Sequence, residues 1–160
     1  MSFESVKREI DEIGKTSKTA MELMDRVTKK LNERMLKYNW VGFYMIALDD
    51  PDTLVLGPFV GAMTPHTRIP LNQGICGAAA SSGTTVVVDD VSKDSRYLAC
   101  SIETKSEIVA PIFVKGKVVG ELDIDSHFLA AFHGEDRSLV EYCAQSVGRF
   151  MEKRVQAAKR

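Results

Sequence analysis

The stretch that decides the fold covers residues 107–125 and reads EIVAPIFVKGKVVGELDID. Two runs rich in β-branched residues, 107–114 and 118–125, flank the short segment Lys115-Gly116-Lys117. Runs of this length on either side of a glycine-containing turn are typical of an antiparallel hairpin. The sequence therefore predicts two paired strands near the end of the chain.

Further strand-like runs lie upstream of this hairpin, at residues 40–48, 53–60 and 84–88. The turn-forming residues 49–52 (DDPD) join the first two, which predicts a second hairpin. Residues 74–82 are small and alanine-rich, which predicts a short helix between strands. The polar segment 89–105 is longer than most loops in compact domains, and loops of this kind are often functional.

Both ends of the chain carry the apolar spacing of amphipathic helices, near residues 17–37 and near 135–158. We therefore assign residues 1–37 to N-terminal helices, 38–126 to the sheet and its ligand loops, and 134–158 to a C-terminal helix. The expected fold is a single α+β domain over residues 1–160. In it, the terminal helices pack on one face of a central, mostly antiparallel sheet.

Composition restricts the classes of function. The 160 residues are 44% apolar and carry 21 basic against 22 acidic side chains, so no basic surface predicts nucleic acid as a partner. The longest apolar run, residues 41–48, is far shorter than the roughly 20 residues of a membrane-spanning helix. We expect a cytoplasmic protein without a signal peptide or a membrane partner.

The odd number of cysteines argues against a secreted disulfide framework. Cys76 lies between glycines near the predicted start of a helix, where the helix dipole would lower its pKa; the alternative is a small buried apolar residue. Cys100 lies in the long loop with Arg96 and Lys105 as possible basic neighbours. Cys143 falls in the apolar stripe of the last helix, which predicts a core position. If Cys76 and Cys100 approach each other, they have the parts of a redox-active thiol pair.

Acidic residues inside the deciding hairpin need an explanation, because strands disfavour them. Asp123 and Asp125 share one strand face. A two-residue turn would place Glu107 opposite Ile124 on the other face, whereas a three-residue turn would place it opposite Asp125. We predict the three-residue turn, which brings the three carboxylates together.

Converging carboxylates repel one another, so the cluster implies a cationic ligand or a raised pKa. An ammonium group or an ion such as Mg²⁺ or Ca²⁺ would satisfy it; a solvated strand edge is the simpler alternative. Trp40 and Tyr44, four residues apart on a strand, would share a face and form an aromatic wall for an ammonium or a thioether, unless they are simply core.

Several motifs resemble those of the GAF-domain free methionine-(R)-sulfoxide reductase family. Three are common to many GAF domains: RIPL at 68–71, GICGAA at 74–79 and VVVDDV at 86–91. Four are more specific to the reductases: NWVGFY at 39–44, LVLGPF at 54–59, SEIV at 106–109 followed by Pro111, and GELDIDS at 120–126.

The resemblance implies thiol-dependent reduction of free L-methionine-(R)-sulfoxide to methionine, in which Cys100 is the nucleophile and Cys76 the resolving thiol. It implies no bound cofactor or metal, and thioredoxin or a similar dithiol as reductant. Separately, the apolar stripes of the two terminal helices predict a homodimer interface. The residues that it assigns to substrate binding are Trp40, Tyr44, Glu107, Asp123 and Asp125.

One departure from the family pattern concerns His66, which stands where many members carry a further cysteine. A relay of three thiols is therefore replaced by one of two. The alternatives to the enzyme are a non-catalytic GAF sensor of a small molecule and a thiol redox switch without a substrate.

Overall fold

The computed structural model describes residues 2–99 and 101–158. The elements are helices α1 (Phe3–Thr16), α2 (Ala20–Arg34), α3 (Gly74–Ser82) and α4 (Gly134–Ala158), and strands β1 (Trp40–Ile46), β2 (Thr53–Val60), β3 (Arg68–Pro70), β4 (Val86–Val88), β5 (Ser106–Val114) and β6 (Lys117–Ser126). Strand β3 and a 3₁₀ turn at Val91–Lys93 were not predicted from the sequence.

The strands form a six-stranded sheet in the order β3-β2-β1-β6-β5-β4. Each neighbouring pair is antiparallel, which agrees with the predicted mostly antiparallel sheet. The two predicted hairpins are β1–β2 and β5–β6, and β6 joins them by pairing with β1 at the centre of the sheet.

The two faces of the sheet have different coverings. One face carries buried side chains such as Phe43, Ile108 and Leu122, which pack against α1, α2 and α4 in the main core. The prediction of terminal helices on one face is confirmed. The opposite face carries a smaller cluster that includes Trp40 and Tyr44 and packs against α3. This second face holds the predicted site residues.

The helix near 17–37 is shorter than predicted because a side chain caps it. Thr19 accepts a hydrogen bond from the Glu22 N–H at 3.1 Å, so α2 begins at Ala20. A separate helix, α1, precedes it and begins after Ser2, which accepts a hydrogen bond from the Ser5 N–H. Helix α4 agrees with the predicted C-terminal helix within one residue.

The turn of the β5–β6 hairpin has two residues, so the three-residue prediction was wrong. Val114 pairs with Lys117, which leaves Lys115 and Gly116 in the turn with φ of 51° and 77°. Positive φ at both positions is the geometry of a type I′ turn, whose twist matches that of the strands.

A bulge nevertheless restores the predicted convergence. Phe113 pairs with Val118, but Ile112 pairs with Gly120, so the register shifts by one residue at this point. Beyond the bulge, Glu107 lies opposite Asp125. The carboxylates share a face because of the bulge and not because of the turn.

No helix in residues 2–99 and 101–158 is long and apolar enough to cross a membrane.

Candidate functional site

The five predicted binding residues lie together on the α3 side of the sheet, on three adjacent strands. Trp40 pairs with Asp125, and Glu107 pairs with Asp125 from the other side. Tyr44 is four positions after Trp40 on β1, and Asp123 is two positions before Asp125 on β6. Side chains an even number of positions apart on a strand share a face, so Tyr44 and Asp123 lie on the same face as the other three residues. All five are buried.

The aromatic residues form a stacked group. The ring centroids of Trp40 lie 6.3 Å from Tyr44 and 5.6 Å from Phe59, with small interplanar angles. The Trp40 indole N–H donates to the Ala62 carbonyl at 3.0 Å, and the Tyr44 hydroxyl donates to the His66 carbonyl at 2.7 Å. These bonds attach the segment after β2 to the aromatic wall.

Gly42 explains why the indole can lie along β1. A Cβ at this position would stand 2.3 Å from the Trp40 ring and 2.9 Å from the Phe59 Cβ. The glycine that follows Trp40 in the NWVGFY motif therefore provides the space in which the indole packs.

The carboxylates converge on the thiol of Cys76. The thiol donates to Asp123 Oδ2 at 3.3 Å. Cys76 Sγ and one oxygen each of Glu107 and Asp123 lie within 4.8 Å of one another. Burial raises the pKa of Glu107 well above its usual value, and the Asp123 and Asp125 charges raise it further. Burial also raises the pKa of Asp123.

Glu121 is a fourth acidic residue of this site that the sequence analysis missed. It is two residues before Asp123 on β6, faces the same side and is 0% exposed. Its carboxyl group lies against the Cys76 thiol, and neither oxygen has another hydrogen-bond partner among the described residues. Burial and the Asp123 charge raise its pKa well above the usual value. The sequence signal that could have identified Glu121 is the acidic residue at every second position, 121, 123 and 125, which places all three on one face of the strand.

The expected lowering of the Cys76 pKa was wrong. The thiol is in the first turn of α3, but burial raises its pKa well above the usual value, and the charges of Asp123, Glu121 and Glu107 raise it further. A helix dipole acts as a partial positive charge, and three nearby carboxylates outweigh it. In the reduced protein Cys76 is a protonated hydrogen-bond donor.

Cys100, the predicted nucleophile, lies outside the described residues. Its neighbours border the site: Leu98 lines a cavity next to Cys76, and Ser101 lines a second cavity next to Trp40. Arg96 makes two hydrogen bonds to Asp94, at 2.9 and 2.7 Å, so its charge is already paired. The approach of Cys100 to Cys76 stays a prediction.

The remaining two residues singled out from the sequence have simpler positions. Cys143 is fully buried in the helix-covered core, which confirms its predicted role there. Burial raises its pKa to about 12. His66 lines the cavity next to Cys76, and its Nε2 lies 3.1 Å from the Ala99 carbonyl oxygen.

The two cavities are small. The one lined by Cys76, Glu107 and Asp123 has a volume of about 30 Å³, and the one lined by Trp40 and Asp125 has about 80 Å³. Pockets for small organic ligands are typically about 300–1,000 Å³. Both cavities lie below that range.

Comparison with known proteins places this geometry in a family. The family model for the GAF domain matches residues 20–150. The chain is 42% identical over 106 residues to free methionine-R-sulfoxide reductase of Escherichia coli, which covers 66% of this chain and 62% of that protein. It is 40% identical over 112 residues to the Saccharomyces cerevisiae protein of the same name, and this alignment covers 69% of this chain and 62% of that protein.

These alignments span less than two thirds of the curated relatives. The structural match is more complete: the free methionine-R-sulfoxide reductase of Neisseria meningitidis, solved in complex with its substrate, superposes with a TM-score of 0.90 at 35% identity, covering 97% of this chain and 91% of that one. The chain therefore belongs to the GAF domain family, and within that family it groups with the free methionine-R-sulfoxide reductases.

Proposed function

We propose that this protein reduces free L-methionine-(R)-sulfoxide to methionine, with Cys100 as nucleophile, Cys76 as resolving thiol and thioredoxin or a similar dithiol as reductant. The observation that carries the proposal is the shared sheet face on which an aromatic wall adjoins a buried carboxylate cluster. Relatives at 35–42% identity that bear the reductase name support it.

The carboxylates explain why the substrate would be a free amino acid. Glu107, Asp123 and Asp125 would bind the substrate ammonium group. A contact with an ionised carboxylate is worth about 4 kcal/mol before desolvation at an effective dielectric near 20, and Glu107, when protonated, would accept a hydrogen bond through its carbonyl oxygen. A peptide-bound residue has no ammonium group, so it would leave buried carboxylates without a partner. Trp40 and Tyr44 would hold the methyl-sulfoxide end.

The proposed chemistry has three balanced steps. The Cys100 thiolate attacks the sulfoxide sulfur, the oxygen takes up a proton, and methionine leaves while Cys100 becomes a sulfenic acid. Cys76 then attacks this sulfenic acid, which forms the disulfide and releases water. The dithiol reductant restores both thiols and is itself oxidised to a disulfide.

The carboxylate cluster would move the protons in these steps. The raised pKa of Glu107 favours its protonated form, so we assign it as the acid that protonates the departing oxygen. Asp123 accepts the hydrogen bond of the Cys76 thiol and would take its proton when Cys76 attacks.

The test is turnover of racemic free methionine sulfoxide with dithiothreitol, followed by chiral analysis of what remains. We expect selective loss of the R epimer and no turnover by Cys100→Ser. When dithiothreitol is left out, a single turnover of Cys76→Ser should leave a sulfenic acid that persists. Cys143→Ser is the matched control and keeps its activity. If the reduced protein shows no turnover, the enzyme proposal fails and a non-catalytic sensor replaces it. If Cys76 and Cys100 form a disulfide without turnover, the redox switch replaces it.

The proposal also includes a cytoplasmic homodimer in which residues 1–160 form one domain. Sedimentation equilibrium of the reduced protein tests the oligomeric state, and a mass equal to one chain at all concentrations would refute the dimer.

A further inference from the structure

The cavity next to Cys76 is small. Its volume of about 30 Å³ holds two or three water-sized particles, since one water needs roughly 10–15 Å³ of this measure. Its lining includes a sulfur and two carboxylates whose donor atoms lie within 4.8 Å of one another. A donor set this compact fits a cation.

The carboxyl groups around this cavity have no cationic partner among the described residues. None of the ion pairs formed by the described residues includes Glu107, Glu121 or Asp123. Glu121 is fully buried against the Cys76 thiol, and its oxygens have no other hydrogen-bond partner among the described residues. Asp123 Oδ1 has no partner among these residues. Buried carboxylates without partners are costly unless a cation joins them.

We propose that Cys76, Glu107, Glu121 and Asp123 form a binding site for a thiophilic divalent cation of the Zn²⁺ class. A thiolate with carboxylate oxygens suits Zn²⁺ and Co²⁺, whereas Mg²⁺ and Ca²⁺ take oxygen ligands alone. Two donors on one tetrahedral Zn²⁺ stand about 3.5 Å apart, given bond lengths of about 2.0–2.3 Å. The Cys76 Sγ to Asp123 Oδ2 distance of 3.3 Å already matches that separation.

Cation binding would release the Cys76 proton to solvent and hold the sulfur as a metal-bound thiolate. The bound cation would occupy the carboxylates assigned to the substrate ammonium group and block the resolving thiol. The reductase would then be inhibited by the cation and protected from it by substrate. This consequence rests on the proposed function, but the cation site does not.

The test uses Co²⁺, because a cobalt–thiolate bond gives a charge-transfer absorption that identifies sulfur as a ligand. The full-length reduced protein, freed of metals by dialysis, is titrated with Co²⁺ without substrate. We expect one Co²⁺ per chain with a thiolate band, displacement of Co²⁺ by Zn²⁺, and no displacement by equal Mg²⁺. Cys143→Ser and Cys100→Ser should keep the band, and Cys76→Ser should lose it.

A second variant protects the test against misfolding of Cys76→Ser. Glu121→Gln keeps the shape of the side chain and removes its charge, so we expect it to fold and to bind Co²⁺ at least tenfold more weakly. The proposal is overturned if the wild-type protein shows no thiolate band, if the band survives in Cys76→Ser, or if Glu121→Gln binds Co²⁺ as tightly as the wild type. Because no substrate is present, failure here leaves the reductase proposal untouched.

Discussion

Replacing Glu121 by methionine should stabilise the protein, although it alters a residue with no exposed surface. Glu121 is 0% exposed, and apart from the weak Cys76 thiol donor neither carboxylate oxygen has a hydrogen-bond partner among the described residues. Burying a polar group without a hydrogen bond costs about 1–3 kcal/mol in proteins. Methionine is unbranched and of similar length, so it removes this cost without leaving a cavity.

The expected gain at pH 7 is therefore about 1–3 kcal/mol in the free energy of unfolding. For a chain of this size, about 2–4 °C of melting temperature corresponds to each kcal/mol. The assay is urea denaturation of the reduced protein with a metal chelator present, followed by circular dichroism and by the fluorescence of Trp40. Coincident transitions of the two signals would justify the two-state treatment.

The gain should also depend on pH in a defined direction. In the unfolded chain Glu121 loses its proton near the usual value of 4.5, whereas the folded protein keeps it to a higher pH. The folded state thus binds more protons across this window, and the stability of the wild-type protein falls as pH rises through it. Glu121→Met removes this contribution, so its advantage should be smallest below pH 4.5 and grow above it.

Glu12→Met is the matched control, because Glu12 is exposed on α1 and its only ion pair in the described residues is with Lys15 on the surface. Its effect should be near zero at every pH. If Glu121→Met destabilises the protein, or if its advantage is independent of pH, then Glu121 is compensated by a partner and the reasoning fails.

Three further predictions follow from the same face of the sheet and the core behind it. Gly42→Ala should displace the Trp40 indole, lower the free energy of unfolding by about 1–3 kcal/mol and raise the KM for free methionine sulfoxide. Gly14→Ala is the control: its added Cβ would meet nothing within 4 Å, so it should be neutral or stabilising in the same melts. Glu107→Gln should reduce kcat. In the wild type, activity should fall as pH rises through the raised pKa of Glu107, and this fall should be absent from the variant; an unchanged pH–rate profile would assign the catalytic proton to another group. Cys143 should resist alkylation in the native protein at pH 8, because burial raises its pKa to about 12, and peptide mapping that finds it modified as fast as a denatured control would contradict the structure.

The deciding hairpin shows how far the sequence could be interpreted. The positions of its strands and the shared face of Asp123 and Asp125 follow from period-2 alternation, which depends only on local geometry. The pairing of Glu107 with Asp125 was predicted for the wrong reason. A bulge shifts the register without a local sequence signal, so the two-residue turn and the observed pairing could not both be predicted.

The site was less predictable than the fold because its chemistry depends on neighbours distant in sequence. Cys76 is 47 residues from Asp123, and the thiol donates to that carboxylate across the gap between α3 and β6. The rule that a helix start lowers a thiol pKa is local, and the carboxylates that reverse it come from the sheet. Alternation along β6 could have identified Glu121, but nothing in the sequence shows that its oxygens lack partners.

The free-energy cost of burying these acidic groups indicates which class of ligand the cluster binds. A group of buried acids that destabilises the protein when it is empty gains most from a ligand that brings positive charge, and both an ammonium group and a divalent cation do so. The sulfur distinguishes them. An ammonium group gains little from a thiol donor beside it, whereas a Zn²⁺-class cation converts that thiol into its strongest ligand. Suppose that Glu121→Met is more stable than the wild type and still binds substrate, but no longer binds Co²⁺. Glu121 would then be a ligand of the cation and not of the amino acid, and cation binding would explain why the protein keeps a buried acid that lowers its stability.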